Sequence, residues 1–314
     1  MKLTRITTPK KFDVPKVILH GERRATVPFD GLRALWFNTG TLCNIACLGC
    51  YIESSPRNDR LAYLNRHEVR QYLREIACEG LPVTEIGFTG GEPFLNPDFL
   101  GMLDDCLAAG FRILVLTNAM KPMLRLKAGL LEVCGRAGGR LTFRVSLDHY
   151  TAAGHESRRG AGTWQPAIEG LSWLAASGVS LAVAGRRDGH EPEAALRRGF
   201  GALFAERGLP IDATDPARLV LFPEMDDAAD VPEISENCWK ILGVSPGDMM
   251  CASSRMVVKR KGADHPVVTA CTLIPYDGRF EMGRTLADAA EPVRLNHVHC
   301  SKFCVLGGGS CSRP

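Results

Sequence analysis

Hydrophobic and polar positions change period repeatedly along the 314-residue chain. Six short runs rich in Val, Ile, Leu and Phe have the continuous apolar character of strands covered on both faces. They are "ALWFNTG", "TEIGFTGG", "FRILVLTNA", "LTFRVSLD", "SLAVAGR" and "RLVLFPEM". Between them, "RHEVRQYLREIACEG", "NPDFLGMLDDCLAAG", "MLRLKAGLLEVCGRAG", "QPAIEGLSWLAASG" and "EAALRRGFGALFAERG" place apolar residues at helical spacing. Several run into a glycine suited to a helix stop. Six strand–helix units predict an α/β fold with a parallel sheet and helical crossovers. Periodicity alone leaves two arrangements open, a partial barrel and a doubly wound sheet. Near residue 230 the alternation gives way at "DDAADVPEISENC" to an irregular, cysteine-bearing segment. The expected organisation is an N-terminal extension over 1–32, a β/α core over 33–230 and a small irregular domain over 231–314.

Composition adds a sizeable core, with 45% hydrophobic and 23% charged residues. Thirty-eight basic and 35 acidic side chains leave a net charge of +3, too balanced to call for nucleic acid or a membrane surface. No apolar run is long enough to span a bilayer, and "MKLTRITTPKKFDVPK" lacks the apolar stretch of a secretory signal. A cytoplasmic location is expected. The twelve cysteines are unevenly spread: three fall at 43–50 and six between 238 and 311. Cys78, Cys106 and Cys134 sit alone in helical stretches and are expected to be buried small hydrophobes.

The chemistry-bearing residues fall at the carboxyl ends of the predicted strands. Cys43, Cys47 and Cys50 follow the first strand, and "GGEP" (90–93) follows the second. "TNA" (117–119), "SLD" (146–148), "GR" (185–186) and "PE" (223–224) end the next four. In parallel β/α folds the connecting loops converge at that edge and form the active face. Three thiolates at C-x3-C-x2-C leave an iron–sulfur cube, which takes four, one ligand short. Zinc would need His20 or His67 as the fourth ligand, and neither has a partner at zinc-site spacing. Taken singly, "GGEP" is a turn, "SLD" an N-cap and Arg159 a solvated charge. Their common order along the strand ends is what argues for one site.

In that order the motifs resemble those of the radical S-adenosylmethionine (radical SAM) enzymes, over nearly the whole β/α region. The resemblance implies a partial (β/α)6 TIM-like barrel. It implies that Cys43, Cys47 and Cys50 bind three irons of a [4Fe–4S] cluster, with the fourth iron chelated by S-adenosylmethionine. Gly90, Gly91 and Glu92 would meet the methionine amino group of that cosubstrate, while Asn118 and Ser146, with Asp148 a weaker candidate, would lie near its ribose and carboxylate. "HESRRG" is similar to the family's H-x3-R-G segment and makes Arg159 a partner for the carboxylate. Members of the family usually carry an aromatic residue just before the third cysteine; here that position is Gly49, and Tyr51 follows the cysteine.

The C-terminal segment holds Cys238, Cys251, Cys271, Cys300, Cys304 and Cys311. "RMVVKR" and "PVVTA" read as a β-hairpin between Cys251 and Cys271. The arrangement resembles the SPASM and twitch extensions of radical SAM enzymes, which implies one auxiliary [4Fe–4S] cluster. Cys251, Cys271, Cys300 and Cys304 are its expected ligands, with Cys311 a competitor; a zinc site aided by His297 and His299 is the alternative, and Cys238 can be core.

The resemblance further implies an enzyme, either an oxidoreductase or a maturase, with an external electron donor such as flavodoxin or ferredoxin. It would cleave S-adenosylmethionine to a 5′-deoxyadenosyl radical and take hydrogen from a small molecule or short peptide. Tyr51, His149, Glu224 and Tyr276 are the expected substrate neighbours. The competing class is a non-catalytic iron–sulfur carrier or a zinc-stabilised binding module.

Overall fold

The computed structural model describes residues 10–187, 189–224 and 230–310. After a short strand β1 (Thr26–Val27), the six expected strands all form: β2 (Ala34–Asn38), β3 (Glu85–Thr89), β4 (Arg112–Thr117), β5 (Leu141–Ser146), β6 (Ser180–Arg187) and β7 (Leu219–Pro223). They pair in parallel in chain order, with Ala34 opposite Glu85, Glu85 opposite Arg112 and Ile113 opposite Leu141. A doubly wound sheet reverses its strand order midway; these six strands do not. That unreversed order is the α/β arrangement of a partial TIM-like barrel.

The crossovers are α1 (Arg66–Cys78), α2 (Phe99–Ala108), α3 (Lys121–Leu124), α4 (Lys127–Ala137), α5 (Ala152–Arg159), α6 (Trp164–Ala176) and α7 (Glu193–Glu206). A capping box between Asn65 and Glu68 starts α1. The single helix expected over 123–138 is broken into α3 and α4, because Leu126 leaves helical geometry at φ −103°, ψ 15°. The helix α5 at "AAGHESRR" was not expected. Cys106 is buried on α2, but Cys78 is exposed: the buried stripe of α1 runs through Val69, Tyr72, Leu73 and Ile76, and Cys78 falls off it. Cys134 is half-buried.

After α8 (Glu236–Leu242) come β8 (Ser254–Val258), β9 (Val267–Thr269), β10 (Glu281–Gly283) and β11 (Val293–Arg294). The expected hairpin is present as the antiparallel pair β8–β9. Its first strand also lies parallel to β2, Ala34 facing Ser254, so the sheet has nine strands in the order β10-β9-β8-β2-β3-β4-β5-β6-β7. Alternation along the strands separates two cores. Leu35, Phe37, Ile86, Phe88, Ile113 and Val115 face the helices, whereas Trp36, Leu114, Met256 and Val258 face inward onto the C-terminal segment. Gly87 makes room for the Trp36 indole, since a Cβ there would lie 2.3 Å from the ring. No described helix is long and apolar enough to cross a membrane.

Candidate active site

The cysteine loop leaves β2 and is fixed at several points by backbone bonds. Cys43 N donates to Ser55 O (3.1 Å), Leu48 N to Arg158 O on α5 (2.7 Å), and Glu53 N to Cys50 O (2.8 Å). Gly49 takes φ +69°, a conformation that a bulky side chain adopts only at a cost. The expected aromatic is thus absent where the turn needs glycine, and Tyr51 supplies an aromatic wall instead, its hydroxyl 3.4 Å from Thr89 Oγ1.

The "GGEP" segment packs against this loop backbone to backbone. Gly91 N donates to Gly40 O (2.8 Å) and Glu92 N to Leu42 O (3.0 Å). A Cβ on Gly91 would stand 2.0 Å from Leu42 O, and one on Gly90 would stand 2.5 Å from Gly40 O. Both positions admit no side chain.

Cys43, Cys47 and Cys50 border a cavity of about 970 Å³, measured out to its open mouth. Gly90, Gly91, Asn118, Ser146, Asp148 and Arg159 line the same space, so residues from four strand ends and α5 meet there. Asn118 Nδ2 donates to Asn44 Oδ1 (2.9 Å) and lies 3.8 Å from Cys43 Sγ. Arg159 grips Asp148 at two points, Nε–Oδ2 3.0 Å and Nη2–Oδ1 3.2 Å, while Arg186 stands 3.7 Å from Oδ1. Burial alone would raise the Asp148 carboxyl, yet the two arginines hold it below the usual carboxylate range.

Glu92 is set back from this cavity. Its carboxylate is buried and accepts from Thr117 Oγ1 (2.8 Å), Asn118 N (2.9 Å) and Phe94 N (3.4 Å). It therefore ties the second strand end to the third. Burial pushes its pKa up to about 7 against those hydrogen bonds. Of the four expected substrate neighbours, Tyr51 borders the cavity and the others are engaged elsewhere. Glu224 pairs with Arg158 (2.9 Å), His149 stacks on Tyr150 at 4.2 Å, and Tyr276 Oη donates to Ile52 O (2.7 Å). Phe222, Leu273 and Phe303 form an apolar wall of the cavity that no sequence motif announced. Two of these come from the C-terminal segment, and no local pattern marks them.

A second, narrower cavity, about 480 Å³ when the solvent at its mouth is included, is bordered by Cys251, Cys271, Cys300 and Cys304, four cysteines expected together, with His299 beside them. Cys311 lies outside the described residues. Cys238 is not on this wall and sits 3.6 Å from Ser235 Oγ. The fully buried Arg255 adjoins Cys251 and Cys271 electrostatically.

In both cavities burial works against the thiolate, pushing Cys43 up to about 12 and Cys251 up to about 11. A thiolate in either place needs a metal or a cation to hold its charge. Among the described residues no three His, Cys, Asp or Glu side chains stand close enough for a single metal ion. The thiols instead surround voids. Three thiols, two bare glycines and a partly buried arginine at an open cavity fit a cluster with one iron left for a cosubstrate. Four thiols beside a buried guanidinium, in an otherwise apolar void, fit a fully ligated one.

Several known proteins share this chain's sequence or fold. Mycofactocin maturase MftC of Mycobacterium ulcerans is 28% identical, over 53% of this chain and 42% of its own length. GTP 3′,8-cyclase of Synechococcus sp. (strain WH7803) is 33% identical, over 59% of this chain and 56% of its own. The chain thus spans about half the length of these curated relatives. Streptococcus suis SuiB, in a structure bound to precursor peptide SuiA, shares the fold with a TM-score of 0.59 at 12% identity, over 85% of this chain and 65% of that one. Residues 37–192 match the model of the Radical SAM superfamily, and the chain carries a domain of that family.

Proposed function

We propose that this radical SAM chain cleaves S-adenosylmethionine reductively in the larger cavity and takes a hydrogen atom from a peptide or small-molecule substrate bound beside it. The observation that carries the reading is the meeting of Cys43, Cys47, Cys50, Gly90, Gly91 and Arg159 around one cavity at the carboxyl ends of parallel strands. When bound, a reduced [4Fe–4S] cluster and S-adenosylmethionine supply the 5′-deoxyadenosyl radical that attacks the substrate. The chain's part is positional. Cys43, Cys47 and Cys50 hold three irons, and Gly90 and Gly91 present backbone at close range. Arg159, oriented by Asp148, meets the cosubstrate carboxylate. Leu116, Phe222, Leu273 and Phe303 exclude water from the chamber.

Cys251, Cys271, Cys300 and Cys304 hold an auxiliary [4Fe–4S] cluster in the second cavity, as in SPASM and twitch extensions. The name of one relative, a maturase, and the precursor peptide bound to SuiB, which shares the fold, support a peptide substrate, while the cyclase supports a nucleotide-sized one. A flavodoxin or ferredoxin delivers the electron.

The test is anaerobic reconstitution with iron and sulfide, then reductant and S-adenosylmethionine. The wild type should bind about eight irons and release 5′-deoxyadenosine, and Cys47→Ala should form none above background. A colourless protein carrying zinc and no acid-labile sulfide would end the reading.

A further inference from the structure

Residues 271–276 pass three places in succession. Cys271 borders the smaller cavity, Leu273 borders both, and Tyr276 reaches the turn that follows Cys50. Tyr276 Oη donates to Ile52 O at 2.7 Å and accepts from Asn58 Nδ2 at 3.2 Å. The same amide donates to Glu53 O at 2.8 Å. The Arg60 guanidinium lies 3.7 Å from the Tyr276 ring centroid and pairs with Glu53 at 2.7 Å. The turn they hold is strained, because Glu53, a residue with a Cβ, sits at φ +52°. Such a conformation is uncommon for a residue with a side chain and persists only where surrounding structure fixes it. Here one of the fixing groups, the Tyr276 hydroxyl, comes from 224 residues away in sequence.

We propose that Tyr276 is a positioning residue for the three-cysteine site: it fixes the Cys50 turn and, through residues 271–276, ties that turn to the filling of the smaller cavity. The proposal rests on the two-cluster reading above. A metal-bound Cys271 has its side chain anchored, which restricts the five residues that follow and keeps Tyr276 Oη on Ile52 O. The direction of the Cys50 thiol then depends on whether the second cavity is loaded.

Tyr276→Phe removes the hydroxyl and keeps the ring beneath Arg60. Hydrogen exchange read by mass spectrometry on metal-free and reconstituted protein should show residues 50–58 exchanging about fivefold faster in this variant, with the rest of the chain unchanged. The electron paramagnetic resonance spectrum of the reduced three-cysteine cluster should change in linewidth when S-adenosylmethionine is added. Cys271→Ser, reconstituted, should accelerate exchange over the same residues. Unchanged exchange at 50–58 in Tyr276→Phe overturns the clamp, as does an equal rise along the whole chain, which would make Tyr276 a stability residue only. Wild-type exchange at 50–58 in Cys271→Ser overturns the coupling. If the wild type assembles no cluster, the functional reading fails, while exchange in the metal-free protein still decides the clamp.

Discussion

The two cysteine cavities share one sheet and two wall residues, Leu273 and Phe303, but are held together by different means. Around the larger cavity, parallel strand ends and loop backbones bond to one another, and side chains such as Glu92 only link neighbouring ends. The smaller cavity lies in a segment with little ladder, so its carbonyls find another donor. Arg255 donates to Ala289 O (2.8 Å), Cys251 O (2.6 Å), Ser254 O (2.8 Å) and Glu291 O (2.9 Å), with its guanidinium 4.3 Å from the Phe29 ring centroid. Arg24 does the same for Val14 O, Val17 O and Leu295 O, while pairing with the buried Glu233. Where regular pairing ends, buried guanidinium groups become the hubs, because unpaired buried carbonyls are costly.

That contrast breaks most directly at Arg255. Replacing it by leucine strands four carbonyls, and Arg255→Leu should destabilise the protein by about 4 kcal/mol. Iron should leave the smaller cavity first, read by denaturant midpoint and iron content. An unchanged midpoint would mean that the hub is dispensable.

Acid should loosen the other cavity. His155, fully buried on the helix that bonds Leu48, has no hydrogen-bond partner at either ring nitrogen among the described residues and packs edge-on to Trp164. Burial lowers its pKa from 6.5 to about 4. Between those values the unfolded chain binds the proton and the folded one does not, so stability falls as pH drops from 6.5 toward 4. The loss should be about 2–3 kcal/mol, and His155→Phe should remove most of it in urea titrations across that range.

The smallest effect is steric. Gly91→Ala sets a methyl against Leu42 O and should cost about 2 kcal/mol, with weaker S-adenosylmethionine binding by calorimetry and iron in the smaller cavity unchanged. Loss from both cavities would show that they do not stand independently.

What the sequence disclosed follows the same division. The six parallel strands were legible because strands covered on both faces read as continuous apolar runs. The three cysteines, Gly90, Gly91, Asn118 and Ser146 could be placed in one neighbourhood because parallel strand ends converge, whereas Arg159 was placed there by the family resemblance of "HESRRG". The β8–β9 hairpin was legible from its turn, but the pairing of β8 with β2 was not, since a strand's pattern does not name its partner. Arg255 within "RMVVKR" looks like an outward-facing charge; only the fold shows the carbonyls that surround it. For Glu92 the motif gave the neighbourhood but not the side to which its carboxylate turns, which is toward Thr117 and Asn118.

The pairing of β2 with β8 also imposes an order of assembly. Ala34 faces Ser254, about 220 positions later, and contacts over such separations close slowly. The loop at 43–50 and its β3 and β4 neighbours leave the ribosome well before β8 exists to cover that edge. For that interval the three cysteines stand in a half-walled chamber, accessible to whatever delivers iron and sulfide. Closure by β8 then brings Leu273, Phe303 and the second set of cysteines over that chamber.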